Sequence, residues 1–161
     1  MYKMKLKSVN LDVTTNQPVV ILKDEGRDRY LPIWIGQTEA QSILMEMQGI
    51  KPSRPLTHDL LKSILVELSA EVNEVVITDI KDGTFFAKIK VEVDSKLMEI
   101  DSRPSDAIAI AVRTDAPIFA EESVLEEAAI LSSEGEEEEV KRFRTFLNEI
   151  NPTDFSDSSK T

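Results

Sequence analysis

Three short runs hold the residues able to do chemistry. The first, Arg54-Pro55-Leu56-Thr57-His58-Asp59, contains the single histidine of the chain, next to a carboxylate. A neutral imidazole is a natural general base near pH 7. At a helix N-terminus the free backbone N–H groups, together with Arg54, could also hold a phosphate. The plainer account is that Thr57 caps the helix and that His58 and Asp59 are ordinary first-turn residues.

The second run is Ile100-Asp101-Ser102-Arg103-Pro104-Ser105-Asp106. Proline suits the first helical position and Asp106 suits the positive end of the dipole, so this is a strand-to-helix corner. Ser105 and several N–H groups face outward there. Arg103 adds a planar donor fork matched to phosphate or carboxylate. Asp101 and Asp106 are oxygen ligands of the kind Mg²⁺ or Mn²⁺ takes. Alternatively, Asp106 caps the helix and Arg103 pairs with Asp101. The third run, Ile35-Gly36-Gln37-Thr38-Glu39, is an equivalent corner in which Gly36 permits close backbone approach and Glu39 takes the place of Asp106. Trp34 could stack on a ring, although tryptophan at a strand end is more often core.

Other chemistries are excluded by what the sequence lacks. Cysteine is absent, which removes thiolate nucleophiles, disulfides and thiolate metal sites. GxGxxG, GxxxxGK[ST] and HExxH motifs are missing, so no organic cofactor is implied. One histidine rules out a His–His metal pair. Ser–His–Asp hydrolysis is formally open, but no GxSxG elbow exists.

The formal net charge is −11. Residues 121–161 carry 12 acidic and 4 basic side chains, so most of that excess lies in the last quarter of the chain. Such a balance repels polyanions at long range. A channel for nucleic acid would have to come from Lys3, Lys5, Lys7, Lys88, Lys90 and Arg113, whose lysines alternate along strands and so share a face. No apolar run approaches the ~20 residues of a membrane span, and the first residues alternate instead of forming a secretory h-region. A soluble, cytoplasmic protein without membrane partners is the expectation.

The elements that must position these runs follow from periodicity. Residues 4–13 alternate with one break near Ser8–Val9, predicting a bulged strand. Strands follow at 17–24 and 29–35, then a helix from Gly36 with Ala40, Ile43, Leu44 and Met47 on one face and Gly49 past its end. The same order recurs 67 residues on: strands at 71–80, 84–93 and 96–102, a turn at Asp82-Gly83, and a helix from Pro104. With that offset Val9 meets Val76, Ala40 meets Ala107 and Ile43 meets Ile110. An α+β fold of duplicated β-β-β-α units (about 4–49 and 71–114) in a mixed or antiparallel sheet is predicted. An inserted helix over 57–69 lies between the units, with Leu60, Leu61, Ile64, Leu65 and Leu68 on one face. A short extended piece at 117–120 and a helix over 121–131 complete a domain of residues 1–131. An acidic linker (132–139), a C-terminal amphipathic helix and docking segment (140–155) with Phe143, Phe146, Leu147 and Ile150, and a disordered tail (156–161) are expected beyond it.

The runs LPIWIGQTEAQSI (31–43), RPLTHDLL (54–61), IDSRPSDAIAIAVR (100–113), APIF (116–119) and KRFRTFLNEINPTDF (141–155) stand in this order. Together they resemble the bifunctional nuclease domain family, over about residues 1–155. The resemblance implies an α+β fold of duplicated three-strand-plus-helix units, self-association as a homodimer or higher homo-oligomer, and an activity described for some members on both RNA and DNA. Its motif positions are Thr57, His58 and Asp59 in one block, and Asp101, Ser102, Arg103, Pro104, Ser105 and Asp106 in another. The helical hairpin of repair type that some relatives carry is not matched here.

Two functions follow. In the first, a nuclease acts on a nucleic acid substrate: His58 activates water, or orients a metal-bound water with Asp59. Asp101 and Asp106 hold Mg²⁺ or Mn²⁺, and Arg103 neutralises charge on the phosphoryl oxygens. Arg54, Thr57, Ser105 and Gly36 would line the anion site. In the second, the chain is a non-catalytic oligomeric module for a small anionic ligand or a partner protein. Either way, the separate corners must meet in space.

Overall fold

The computed structural model describes residues 1–131. The expected linker at 132–139, helix at 140–155 and tail at 156–161 lie outside the described residues. Twelve elements run in the order β1 (Tyr2–Asp12), β2 (Gln17–Asp24), β3 (Arg29–Trp34), α1 (Gln37–Met47), α2 (Thr57–Glu67), β4 (Glu71–Lys81), β5 (Thr84–Val93), β6 (Lys96–Ser102), α3 (Pro104–Thr114), β7 (Ile118–Ala120), α4 (Glu122–Ala128) and β8 (Ile130–Leu131). The fold is α+β, with all eight strands in one mixed sheet ordered β6-β5-β4-β7-β1-β2-β3-β8. The helix expected over 121–131 is shorter: it stops at Ala128, and Ala129 turns extended to enter β8.

Strand positions follow from alternation. In β1 the buried Met4 separates exposed Lys3 and Lys5, and the register shifts between Leu6 and Ser8, where the expected bulge falls. Val20 and Leu22 of β2 pair with Ile33 and Leu31 of β3, so four aliphatic side chains sit together on the core face. The β4–β5 turn uses Asp82 at φ 52° and Gly83 at φ 76°, the two left-handed residues of a tight hairpin. Strand β7 is short but central. It joins β4 in parallel and β1 antiparallel, placing β1–β3 and β4–β6 on opposite flanks. The flanks share their element order; descent from a duplicated unit remains an expectation of the sequence.

Helix α3 is the centre of the core. Ala107, Ile108, Ala109, Ile110 and Ala111 are all buried, which happens when a helix is packed on every side. Its alanines let α1, α2 and the sheet approach closely, and Ile108 and Ile110 each contribute roughly 1.5–3 kcal/mol by burial. Helix α2 differs. It packs on α3 through its edge, leaving Leu60, Leu61, Ile64 and Leu68 exposed and Leu65 partly buried. No helix among the described residues is long and apolar enough to cross a membrane.

Candidate functional site

The two corners and the α2 N-terminus meet. His58, in the first turn of α2, is 8% exposed and lies between α1 and α3. Its Nε2 is 2.9 Å from Oδ1 of Asp106, and its Nδ1 is 2.6 Å from the Ser42 hydroxyl. A carboxylate only accepts, so the proton at Nε2 is fixed and donates to Asp106. In the neutral ring Nδ1 is then the acceptor, so the Ser42 hydroxyl donates to it while its oxygen accepts from Arg113 Nη2 at 3.0 Å.

The chain of contacts extends in both directions. Arg113 donates from Nε to Asp59 Oδ1 at 2.9 Å, from Nη1 to the Ala109 carbonyl, and from Nη2 also to the Ser42 carbonyl. Asp59 Oδ2 accepts the Leu56 N–H at 3.0 Å, closing the start of α2. At the other end Arg103 donates from Nε to Asp106 Oδ2 at 2.9 Å and contacts Glu39 Oε1 at 3.0 Å through Nη2. The acids of both strand-to-helix corners thus converge on one guanidinium. A Cβ at position 36 would meet the end of the Glu39 side chain as it folds back, so any larger residue there would displace that carboxylate.

These contacts set the charges. Burial raises the Asp106 carboxyl, but hydrogen bonds from His58 and Arg103 outweigh it and hold the group below the usual carboxylate range. The Arg113 hydrogen bond does the same for Asp59 against the opposing effect of burial. Arg103 is pushed further up, chiefly by its bond to Asp106.

Beside this network lies a cavity of about 350 Å³. Trp34, Gly36, Phe85, Arg103, Pro104 and Ser105 line it, so both corners and the β4–β5 hairpin contribute. Trp34 is not core: it is 47% exposed, held by a 2.8 Å hydrogen bond from Nε1 to Asp12. The hydrogen bond from the Thr14 side chain, followed by the one from Trp34, takes the Asp12 carboxyl down to about 2.

The family model of the bifunctional nuclease domain matches residues 20–133. The chain belongs to the bifunctional nuclease domain family. An uncharacterised protein of Mycobacterium tuberculosis is 40% identical over 164 residues, spanning 96% of this chain and 98% of its own length. Bifunctional nuclease 1 of Arabidopsis thaliana is 31% identical over 105 residues, and bifunctional nuclease 1 of Oryza sativa subsp. japonica 26% over 110. Those plant matches cover 63% and 66% of this chain but only 32% and 33% of the plant proteins.

Among the candidate residues of this bifunctional nuclease domain, His58, Asp59, Arg103 and Asp106 join one network, and Gly36 and Ser105 line the adjoining cavity. Arg54 and Thr57 are exposed and outside that cavity. Thr57 is the first helical residue, not the cap; Leu56 holds the cap position. Asp101 is exposed on β6 and forms no ion pair among the described residues, so Arg103 pairs with Asp106 and Glu39 in its place. Both Asp106 oxygens already accept from cationic or ring N–H donors, and no group of three metal-type ligands exists among the described residues. This donor set does not fit a hard cation.

The basic residues expected to form a channel do not line the cavity. Arg113 is buried and paired. The lysines alternate with core residues Met4 and Ile89 and therefore face away from the helices that carry the site. Lys88 and Lys90 are neutralised by Glu99 and Glu74. Ser42, absent from the expected set, links His58 to Arg113. Its only sequence signal was a polar residue on the buried face of α1. Ser42, His58 and Asp106 lie in line as in a hydrolytic triad, but serine is on Nδ1 and the acid on Nε2, the reverse of that order. Ser42 is also buried and shares its oxygen with Arg113, so it is no nucleophile.

Proposed function

We propose that this domain hydrolyses phosphodiester bonds of RNA, DNA or both. Family membership supports that reading, and one observation carries it: an exposed guanidinium that lines a cavity is paired with a carboxylate held by a buried imidazole. Arg103 binds a non-bridging phosphoryl oxygen and offsets charge developing in the transition state. Asp106 accepts the proton of the attacking water through the Oδ2 lone pair its donors leave free, as the water oxygen bonds to phosphorus and the P–O bond to the leaving oxygen breaks, that oxygen taking a proton from solvent. His58 acts through Asp106 as a positioning residue, because both of its nitrogens are occupied and it is 8% exposed.

The assay is cleavage of single-stranded RNA and DNA by purified full chain. Asp106→Asn and Arg103→Gln each lower kcat/KM by about 100-fold or more, in line with the loss of a general base or a charge stabiliser. Equal residual activity in wild type and both variants would assign the cleavage to a contaminant.

A second reading, a non-catalytic oligomeric binding module, draws on the saturated imidazole and on the apolar face that α2 leaves open. Under it, the same variants change ligand binding while no cleavage is detected in any of them.

A further inference from the structure

The cavity between the corners has a chemistry of its own. Arg103 is its only charged lining residue among the described residues, and the first turn of α3, eleven residues long, opens on it through Pro104 and Ser105. Proline at the first helical position has no N–H, so the amide N–H groups that follow are the free donors of that helix. Ser105 is 5% exposed and makes no side-chain hydrogen bond among the described residues. No polar side-chain atom there is both sealed from solvent and unpaired, so the Ser105 hydroxyl is reached from the cavity it lines. A hydroxyl on a residue 5% exposed, reached only from the cavity and bonded to no protein group among the described residues, stands beside a helix N-terminus and an arginine, where it can donate to an oxyanion.

The opposite wall is aromatic. Trp34 is tied by its indole N–H to Asp12, which fixes the ring at an exposed position where burial would otherwise be favoured. Phe85 stands on the same cavity, and Gln17 and Thr84 supply polar edges. A flat ring against Trp34 and an anion on Ser105 describe a single ligand. The volume, about 350 Å³, is at the low end of the roughly 300–1,000 Å³ typical of ligand pockets and matches one nucleotide.

The local charge selects the kind of anion. Glu39 and Asp106 both pair with Arg103, so the local charge is already net negative and a dianionic phosphomonoester is repelled more strongly than a monoanion. A monoanion such as a phosphodiester is the better match.

We propose that this cavity is a one-nucleotide slot for an unpaired residue of a nucleic acid strand, with the phosphodiester on Ser105 and Arg103 and the base against Trp34. It deepens the hydrolytic reading by naming a single-stranded substrate, and rests on that reading only for the strand being cut afterwards.

Trp34 is the only tryptophan of the chain, so its fluorescence reports the slot directly. Full-length protein is titrated with a single-stranded DNA hexamer, the duplex of the same sequence, a dinucleoside monophosphate, a nucleoside monophosphate and inorganic phosphate. The hexamer and the dinucleoside monophosphate quench saturably; the duplex and inorganic phosphate do not, and the nucleoside monophosphate competes less well. By anisotropy of an end-labelled hexamer, Ser105→Ala weakens binding about 5- to 10-fold and Trp34→Ala about tenfold. Ser105→Thr, which keeps the hydroxyl, retains binding, and thermal melts confirm that each variant is folded. The proposal is overturned by absence of quenching with the hexamer, by equal binding of the duplex or the nucleoside monophosphate, or by Ser105→Ala and Ser105→Thr behaving alike. Cleavage is scored on the same samples. Quenching without cleavage sinks the hydrolytic reading and leaves the slot, whereas cleavage without quenching does the opposite.

Discussion

Two arginines stand at the ends of one chain of polar contacts, and they are used differently. Arg113 has a side chain 3% exposed, and its donors go to Asp59, Ser42 and Ala109. Arg103 has a side chain 66% exposed, and it pairs through Nε and Nη2 only. The first guanidinium ties α1, α2 and α3 together; the second keeps donors for something that arrives from solvent. Between them, Ser42 and His58 transmit orientation from the packed end to the open end. A buried, fully bonded group can therefore serve the site by holding Asp106 in place, without touching a ligand.

The largest effect should come from breaking the closed end. Arg113→Ala leaves the Asp59 carboxylate and the Ser42 carbonyl without their donor inside the helix layer, and loss of one partner of a buried pair costs about 3–5 kcal/mol. Chemical denaturation should register that loss, and a thermal melt a fall in Tm of about 10 °C or more. A variant as stable as wild type would mean that the three helices hold together without this arginine.

An intermediate effect is expected from pH. The carboxyls of Asp59 and Asp106 lie below their ordinary value in the folded chain, each held there by its donors. Groups of this kind contribute fully above the unfolded carboxyl value, about 3.9, and lose the contribution as pH falls through the lower folded value. The denaturation midpoint should accordingly hold steady around neutrality and drop below about pH 4. Asp24, beside the buried Arg29, adds to the same trend: burial raises it, but its hydrogen bonds from Arg29 and Gly26 prevail. Asp59→Asn should make the acid loss shallower; an unchanged slope would show that the Arg113–Asp59 pair does not contribute to it.

The smallest change in stability belongs to the open end. Arg103→Ala removes an exposed cation whose pairs are worth about 0–1 kcal/mol, so its denaturation curve should nearly overlay that of wild type. A loss as large as that of Arg113→Ala would erase the distinction between the two ends.

Much of the secondary structure was legible in the sequence because it is local. Alternation located β1 with its bulge, Asp82-Gly83 marked the hairpin, and Pro104 marked the start of α3. The misreadings are local choices with close alternatives. Thr57 is a good capping residue, yet Asp59 closes the helix start by accepting the Leu56 N–H, which moves the cap one position back. Trp34 has the hydrophobicity of a core residue, yet Asp12, far from it in sequence, gives its N–H a partner at the surface.

The sequence by itself determined which residue types were present for chemistry, the single His58, the corner at Arg103-Pro104-Ser105 and the small glycine at 36, because type and spacing are properties of the chain. Only the tertiary structure decided which of them meet. Asp106 lies 48 positions from His58, and Arg113 lies 71 from Ser42; nothing local relates such residues. Packing of α1 and α2 on the buried α3 does, since the apolar faces of these helices fix their approach and the polar residues between them must then pair. The same packing assigned Arg113 to the interior and left Asp101 outside, a division that charge and spacing along the chain do not encode.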